Sequence, residues 1–313
     1  MPLLFVIDPL ESLKAYKDSS VAMMRAAQAR GHEIWCCLVS EIHWAKAQVA
    51  TRARRLSVTA NDDDWYREHE PSVRRLAEFD GVLMRKDPPF DLEYVASTWL
   101  LSAAVREGAR VFNAPDAIRD HNEKLAIAEF PAFAPPTLVS REPERLQAFI
   151  DEHRDVVVKR LDVMGGENIF RVRSDDPNRN VIVEIMSQGT ARTVMAQRYI
   201  PEIRQGDKRV LLIDGEAVPH CLARIPKPGE SRGNLAAGAR GEAQPLTARH
   251  REIASTLGPV LAKRGLLLVG LDVIGEWLTE INVTSPTCFR EIQDQTGFPV
   301  ADRFVAALET KIR

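Results

Sequence analysis

Within the first 39 residues an apolar run, "LLFVIDP", gives way to "KDSSVAMMRAAQARG" and then to a second β-rich run, "HEIWCCLV". Strand, helix and strand in that order imply a crossover, so the chain is expected to build a parallel sheet with the helix packed on it. A serine is expected to cap that helix and Gly31 to stop it. "DGVLMRKDPPF" and "GARVFNAP" add two more strands, which gives a first α/β domain over residues 1–120. The charged stretch "ATRARRLSVTANDDDWYREHEP" between them has few large apolar residues and is expected on the surface.

The style changes after Pro135 and Pro136. "VVVKRLDVMGGENIFRVR" and "TVMAQRYIPE" read as antiparallel strands with turns, preceded by a helix that carries Lys124. The last third holds "DKRVLLIDGEAVPHCLARIP", a helix near 247–264, "LLLVGLDVIGEWLTEINVTSP" and a closing helix. The expected class is therefore α/β followed by α+β, with two α+β subdomains over 121–202 and 203–313. At 313 residues and 45% hydrophobic content the chain can bury a large core. Its 42 basic and 44 acidic residues leave a net charge of −2, so no overall field favours nucleic acid or an anionic membrane. No apolar stretch is long enough to cross a bilayer, and a cytoplasmic location is expected. Cys36, Cys37, Cys221 and Cys288 have no CxxC spacing and read as reduced, mostly buried thiols.

Three stretches carry chemistry. In "VVVKRLDVMGGENIF" a strand ends at Lys159 and turns at Gly165 and Gly166; without GxxxxGK[ST] this is no P-loop, and it reads either as an ordinary hairpin or as a lid over phosphates. In "GLDVIGEWLTEINVTSPT", Glu280 and Asn282 share one face of a strand, and Asp272 joins them if the turn around Glu276 holds an odd number of residues. Two carboxylates and an amide oxygen suit hard Mg²⁺; a solvated sheet face is the bland alternative. "RIPKPGESRGNLAAGARGE" has four glycines, two prolines and four cations in a segment with neither helical nor strand period. Such loops are lids, linkers or disorder. Arg209, Arg224, Arg232, Arg240 and Arg290 cluster around it, where guanidinium forks can receive phosphate or carboxylate.

Together "MRKDPPFD", "NEKL", "VVVKRLDVMGG", "GDKRVLLIDGE", "LARIPKPGESRGNLAAGARGE" and "GLDVIG...LTEINVTSPT" closely resemble the bacterial glutathione synthetase family of ATP-grasp ligases, in order and over nearly the whole chain. The resemblance implies an ATP-grasp fold behind the first domain, and ATP-dependent joining of γ-glutamylcysteine to glycine through an acyl phosphate. It implies Mg²⁺, with Mn²⁺ as a substitute, and a homotetramer without nucleic-acid or membrane partners. Carried over by position, Lys124, Lys159, Gly165, Gly166, Gln197, Tyr199, Ile200 and Asp207 bind ATP; Asp272, Glu280 and Asn282 bind metal. Arg209, Arg224 and Arg232 serve the transferring phosphoryl group, and Ser19, Arg85, Asp87 and Arg290 the substrate. The glycine-rich stretch, residues 225–241, becomes a mobile lid, since acyl phosphates hydrolyse in water. Val163 stands where the family commonly has glycine and Arg198 where it often has asparagine; neither departure removes a charged group. Another carboxylate–amine ligase, or a silent ATP-binding regulator, stays open at this stage.

Overall fold

The computed structural model describes residues 1–163, 168–230, 232–235 and 238–313. Among the described residues the strands gather into three sheets. In the first, Pro2–Ile7 lies between Glu33–Leu38 and Gly81–Met84, with Val111–Phe112 beyond, all parallel. Leu3 to Ile7 are all buried because alternate side chains enter two different cores. Leu3, Phe5 and Ile7 meet the helices Ser19–Ala29 and Val300–Ile312, whereas Leu4 and Val6 meet Leu92–Arg106.

Three local readings need correction. The helix Ser19–Ala29 is capped by Asp18, whose Oδ1 accepts the Val21 N–H at 2.8 Å, and not by a serine. Ser19 Oγ instead accepts the Phe289 N–H at 3.2 Å and ties this helix to Phe289–Thr296. The charged stretch begins inside an eleven-residue strand, Gln48–Val58, antiparallel to Glu33–Leu38. Its inward residues include Val49, Thr51 and Ala53, small enough that the arginines between them hide the period-two pattern. Lys124 is on no α-helix: Pro115–Asp120 ends first, and Asn122 Oδ1 accepts the N–H groups of Lys124 and Leu125 to start a short 3₁₀ turn.

The second sheet is antiparallel, in the order Ile169–Arg173, Asp155–Arg160, Val194–Arg198, Thr137–Ser140. The third runs Arg240–Pro245, Glu216–Ile225, Asp207–Ile213, Leu268–Ile274, Trp277–Asn282, also antiparallel. Its back is filled by Ala248–Lys263, through Ile253, Leu257 and Leu261. Asn113 joins the first sheet to the third: its Nδ2 donates to the carbonyls of Leu268 and Val283 at 2.7 and 2.9 Å, and its Oδ1 accepts the Leu268 N–H at 2.9 Å. All four cysteines are free and buried. No helix among the described residues is long and apolar enough to cross a membrane.

Candidate active site

The Leu268–Ile274 and Trp277–Asn282 strands are joined by the two-residue turn Gly275–Glu276, an even number that would by itself set Asp272 opposite Thr279. A bulge at Thr279 supplies the extra residue, so Asp272 pairs with Glu280 and Gly270 with Asn282. A Cβ on Gly270 would come within 2.9 Å of both Arg209 Cδ and Pro286 Cβ. That missing side chain leaves room for Arg209, which reaches across the strand to Asp272.

Asp272 is the hub of a buried ionic cluster. Arg209 Nε donates to its Oδ1 at 2.6 Å and Arg209 Nη2 to its Oδ2 at 3.2 Å, while Arg224 Nη2 lies 2.8 Å from Oδ2. Arg224 Nη2 also donates to Asp207 Oδ2 at 2.5 Å. Lys159 Nζ, from the second sheet, lies 3.3 Å from Glu280 Oε1, and Lys124 Nζ donates to the Val163 carbonyl at 2.6 Å. Burial opposes charge on Asp272, but Arg209 and Arg224 outweigh it and hold the carboxyl well below its ordinary range. Burial opposes charge on Glu280 too, and there Lys124 and Lys159 prevail, so this carboxyl is also held low. Burial pulls the Lys159 ammonium below its ordinary range against the attraction of Glu280. Asp207 goes the other way: burial, aided by Asp272 and Glu280 against Arg224, raises it to about 7. Among the described residues its Oδ1 and the Arg224 Nε are buried without a hydrogen-bond partner. Asp207 lines the smaller of two adjoining cavities and Arg224 the larger, where a water or a bound group can reach such an unpaired atom.

Two adjoining cavities meet at this cluster. The smaller, about 110 Å³, is bounded by the second and third sheets; Val157, Ile169, Ile200 and Ile274 give it apolar walls, and Gln197, Tyr199 and Asp207 give polar ones. The larger, about 550 Å³, holds Asp8, Lys86, Asp87 and Glu123 together with Arg209, Arg224 and Asn282. Lys124, Asp272, Glu280 and Asn234 line both. Among the described residues no three His, Cys, Asp or Glu converge as a metal-ligand group. Asp272 and Glu280 provide two carboxylates, and Asn282, whose Nδ2 donates to the Gly270 carbonyl at 3.1 Å, has its Oδ1 left as an amide oxygen. This all-oxygen set, with both carboxyls held ionised, fits a hard divalent cation.

The other expected residues fall around these walls. Gln197 Nε2 donates to Thr137 Oγ1 at 3.1 Å, and the Arg171 guanidinium stacks 3.6 Å from the Tyr199 ring centroid. Arg232 lines the smaller cavity with Gly233, where a Cβ would come within 2.9 Å of Asp207 Cβ. Asp87 lines the larger one and accepts a hydrogen bond from Ser285 Oγ. Arg85 lies behind it, donating to Ser20 Oγ and the Pro286 carbonyl at 3.0 Å each, and Ser19 is engaged with Phe289 as above. Arg290 is not brought in: it lines neither cavity and lies 3.7 Å from both Asp62 and Asp294. Gly165 and Gly166 lie outside the described residues. Sequence reasoning missed Glu123, the residue before Lys124 in "NEKL". Its Oε1 accepts the N–H groups of Val283 and Thr284 and the Thr284 hydroxyl, at 3.0, 3.1 and 2.8 Å, and its carbonyl accepts the Ile281 N–H. It staples the Lys124 segment to the strand that carries Glu280 and Asn282.

The family model for the prokaryotic glutathione synthetase N-terminal domain matches residues 1–119, and that for the prokaryotic glutathione synthetase ATP-grasp domain matches residues 123–297. The chain belongs to the prokaryotic glutathione synthetase family. It is 58% identical to a glutathione synthetase of Ralstonia nicotianae over 309 residues, 99% of this chain and 95% of that one. It is 50% identical to a glutathione synthetase of Pseudomonas aeruginosa over 98% of this chain and 97% of that one. Among solved structures, the D-cycloserine synthetase DcsG superposes with a TM-score of 0.69 at 16% identity, covering 99% of this chain and 100% of that one. The ATP-grasp ligase PsnB, complexed with minimal precursor, Mg and ADP, gives 0.63 at 17%, covering 99% and 97%. These last two likenesses are of fold. The family is one of ATP-grasp ligases.

Proposed function

We propose that the protein joins γ-L-glutamyl-L-cysteine to glycine and converts ATP to ADP and phosphate through an acyl phosphate. The observation that carries this reading is the junction of the two cavities, where four buried cations surround two ionised carboxylates. A carboxylate cannot be attacked by an amine until an oxygen is made a leaving group. The cysteinyl carboxylate oxygen therefore takes the γ-phosphoryl group as ADP departs; glycine's amine then attacks the carbonyl carbon, phosphate leaves and the amine loses a proton.

In this scheme the nucleotide occupies the smaller cavity, its base against Gln197, Tyr199 and Ile200, with Asp207 beside it and its phosphates toward Lys124 and Lys159. Arg209 and Arg224 neutralise charge on the transferring group, a role that depends on positioning in a buried site. Asp272, Glu280 and Asn282 would hold Mg²⁺, or Mn²⁺ in its place, which when bound neutralises phosphate oxygens. The dipeptide lies in the larger cavity near Asp87, with Ser19 and Arg85 supporting that wall from behind. Residues 225–241 act as a lid bringing Arg232 over the reacting groups. We further assign units over 1–120, 121–202 and 203–313, a homotetramer, and a cytoplasmic setting that suits four free, buried thiols.

ADP formation with γ-glutamylcysteine and glycine tests the reading. Turnover should require both, and exchanging either for a panel of other acids or amines should lower phosphate release sharply. Equal or greater release with another pair would assign a different ligase; no release with any pair would make the protein a nucleotide-binding regulator.

A further inference from the structure

The two oxygens of Glu123 are used differently. Oε1 takes three hydrogen bonds, from the Val283 and Thr284 N–H groups and the Thr284 hydroxyl. Oε2 takes none among the described residues and, since Glu123 lines the larger cavity, is left to face it. The lysine next in the chain does not answer the charge, because Lys124 Nζ is turned to the Val163 carbonyl at 2.6 Å. Glu123 forms no ion pair among the described residues. A half-buried carboxylate without a cation lacks the partner that such a charge ordinarily has.

Other acids around that cavity are engaged. Asp8 is paired with Lys86 at 2.8 Å, Glu280 with Lys159 at 3.3 Å and Asp272 with two arginines, while Asp18 caps its helix. Glu291 stands on the helix Phe289–Thr296 rather than beside the strand that carries Glu280 and Asn282. The ligation reading brings two ammonium groups into this one cavity, the dipeptide's and glycine's, and so needs two carboxylates to receive them. Asp87, near which the dipeptide lies, suits the first. Glu123 suits the second: it adjoins Lys124, and its carbonyl accepts at 2.8 Å the N–H of Ile281, the residue between Glu280 and Asn282. It stands at the reacting end of the cavity.

We propose that Glu123 receives the incoming amine, its Oε2 accepting a hydrogen bond from the glycine nitrogen and then one of its protons; the inference rests on the ligation reading above. Glycine enters as an ammonium and has no electron pair to attack with. One proton passes to Oε2, and the freed pair forms the bond to the carbonyl carbon. The bond from that carbon to the phosphate oxygen breaks, and a second nitrogen proton leaves with the phosphate. Burial lifts the Glu123 carboxyl above its ordinary range, against the hydrogen bonds from Thr284 and the charge of Lys124 and with the help of Glu280. A carboxylate so raised is the stronger base for that proton.

Product formation with glycine and, separately, with hydroxylamine tests this, using the full chain with ATP, Mg²⁺ and γ-glutamylcysteine. Hydroxylamine is already unprotonated at neutral pH, so it captures an acyl phosphate as the hydroxamate without needing a base. Glu123→Gln keeps an oxygen for Val283 and Thr284 but puts an amide where the proton acceptor stood. It should lower glycine turnover about 100-fold and hydroxamate formation far less, so that the ratio of the two rates falls at least about tenfold. Thr284→Val removes a bond to Oε1 and leaves Oε2, and should change the two rates together. Glu123→Asp serves if the amide variant does not fold: its carboxylate stands one methylene short of the amine, and the ratio should fall in the same sense. A ratio that holds while both rates fall makes Glu123 a staple alone and overturns the proposal, as does undiminished glycine turnover. No hydroxamate from the unaltered chain overturns the acyl-phosphate reading, and this inference with it.

Discussion

Arg209 and Arg224, inside the third sheet, and Arg232 and Arg240, in the glycine-rich stretch and at the start of the edge strand that follows it, are the same residue type, yet they are held in opposite ways. The strand pair is buried and shares Asp272, with Asp207 as a further partner of Arg224. Each of the second two is paired with a glutamate two residues away, Arg232 with Glu230 at 2.7 Å and Arg240 with Glu242 at 3.1 Å. Buried guanidiniums fixed on carboxylates are preorganised and costly to disturb; arginines held by a half-buried glutamate two residues away exchange partners at lower cost. The first pair is suited to meet charge that develops at a fixed point, and the second to follow a ligand that arrives.

The contrast breaks most readily at its hub. Asp272→Ala leaves the buried Arg209 guanidinium uncompensated and Arg224 with Asp207 alone, and should cost about 3–5 kcal/mol of stability, read from denaturant unfolding, whereas Arg232→Ala should leave the unfolding midpoint where it is. Equal losses in the two variants would erase the distinction between the pairs. Next in size, Asn282→Ala should lower turnover about 100-fold at saturating divalent cation while the melting curve holds its shape, because an oxygen donor is lost without a core cavity. Near-normal turnover would remove Asn282 from the metal set.

A third effect is smaller and has a definite sign. Asp207, raised to about 7 from an ordinary 3.8, keeps its proton in the folded chain where the unfolded chain has lost it. The folded state therefore binds more protons between about pH 4 and 7, and stability falls as pH rises through that window. Asp272, held low, acts in reverse: its contribution is complete above pH 3.8 and is lost as pH falls below it. Asp207→Asn should flatten the decline between pH 4 and 7 in stability measured without nucleotide. An unchanged slope would mean that another group carries it.

Part of this was readable in advance. The all-apolar run before Asp8 requires a strand covered on both faces, and the alternation of Glu280 and Asn282 puts them together, since both are consequences of local period. The pairing of Asp272 with Glu280 depends on a bulge at Thr279, which no short-range signal announces. Strand Gln48–Val58 escaped because the buried Val49, Thr51 and Ala53 are small beside the arginines between them. Glu123 escaped because a carboxylate beside a lysine has no pattern until Val283 and Thr284 fold over it. Arg290 was drawn in by its place after "SPTC", but the helix that starts at Phe289 turns it toward Asp62 and Asp294.

The smallest effect tests the loop half of the contrast and should change cleavage without changing stability. Arg232 is half-buried and Gly233 buried, so cleavage between them requires local opening, which glycine-rich segments undergo without unfolding of the domain. Trypsin should cut after Arg232 first. Arg240 opens the strand Arg240–Pro245 and pairs in register with Ile225, and Lys227 precedes Pro228, so both are slower sites. Arg232 and Gly233 line the smaller cavity, and Gly233 packs on Asp207, so nucleotide in that cavity should already slow the cut. Adding γ-glutamylcysteine with ATP and Mg²⁺ should slow it further, because the transferring phosphoryl group offers Arg232 an anion stronger than Glu230 and draws the population toward the closed form. Glu230→Gln should sharpen this: with its local partner gone, Arg232 is free for the ligand, and protection should set in at lower ATP concentration. If cleavage after Arg232 runs at one rate with and without both ligands, the loop arginines do not follow the substrate, and only the buried pair serves the reaction.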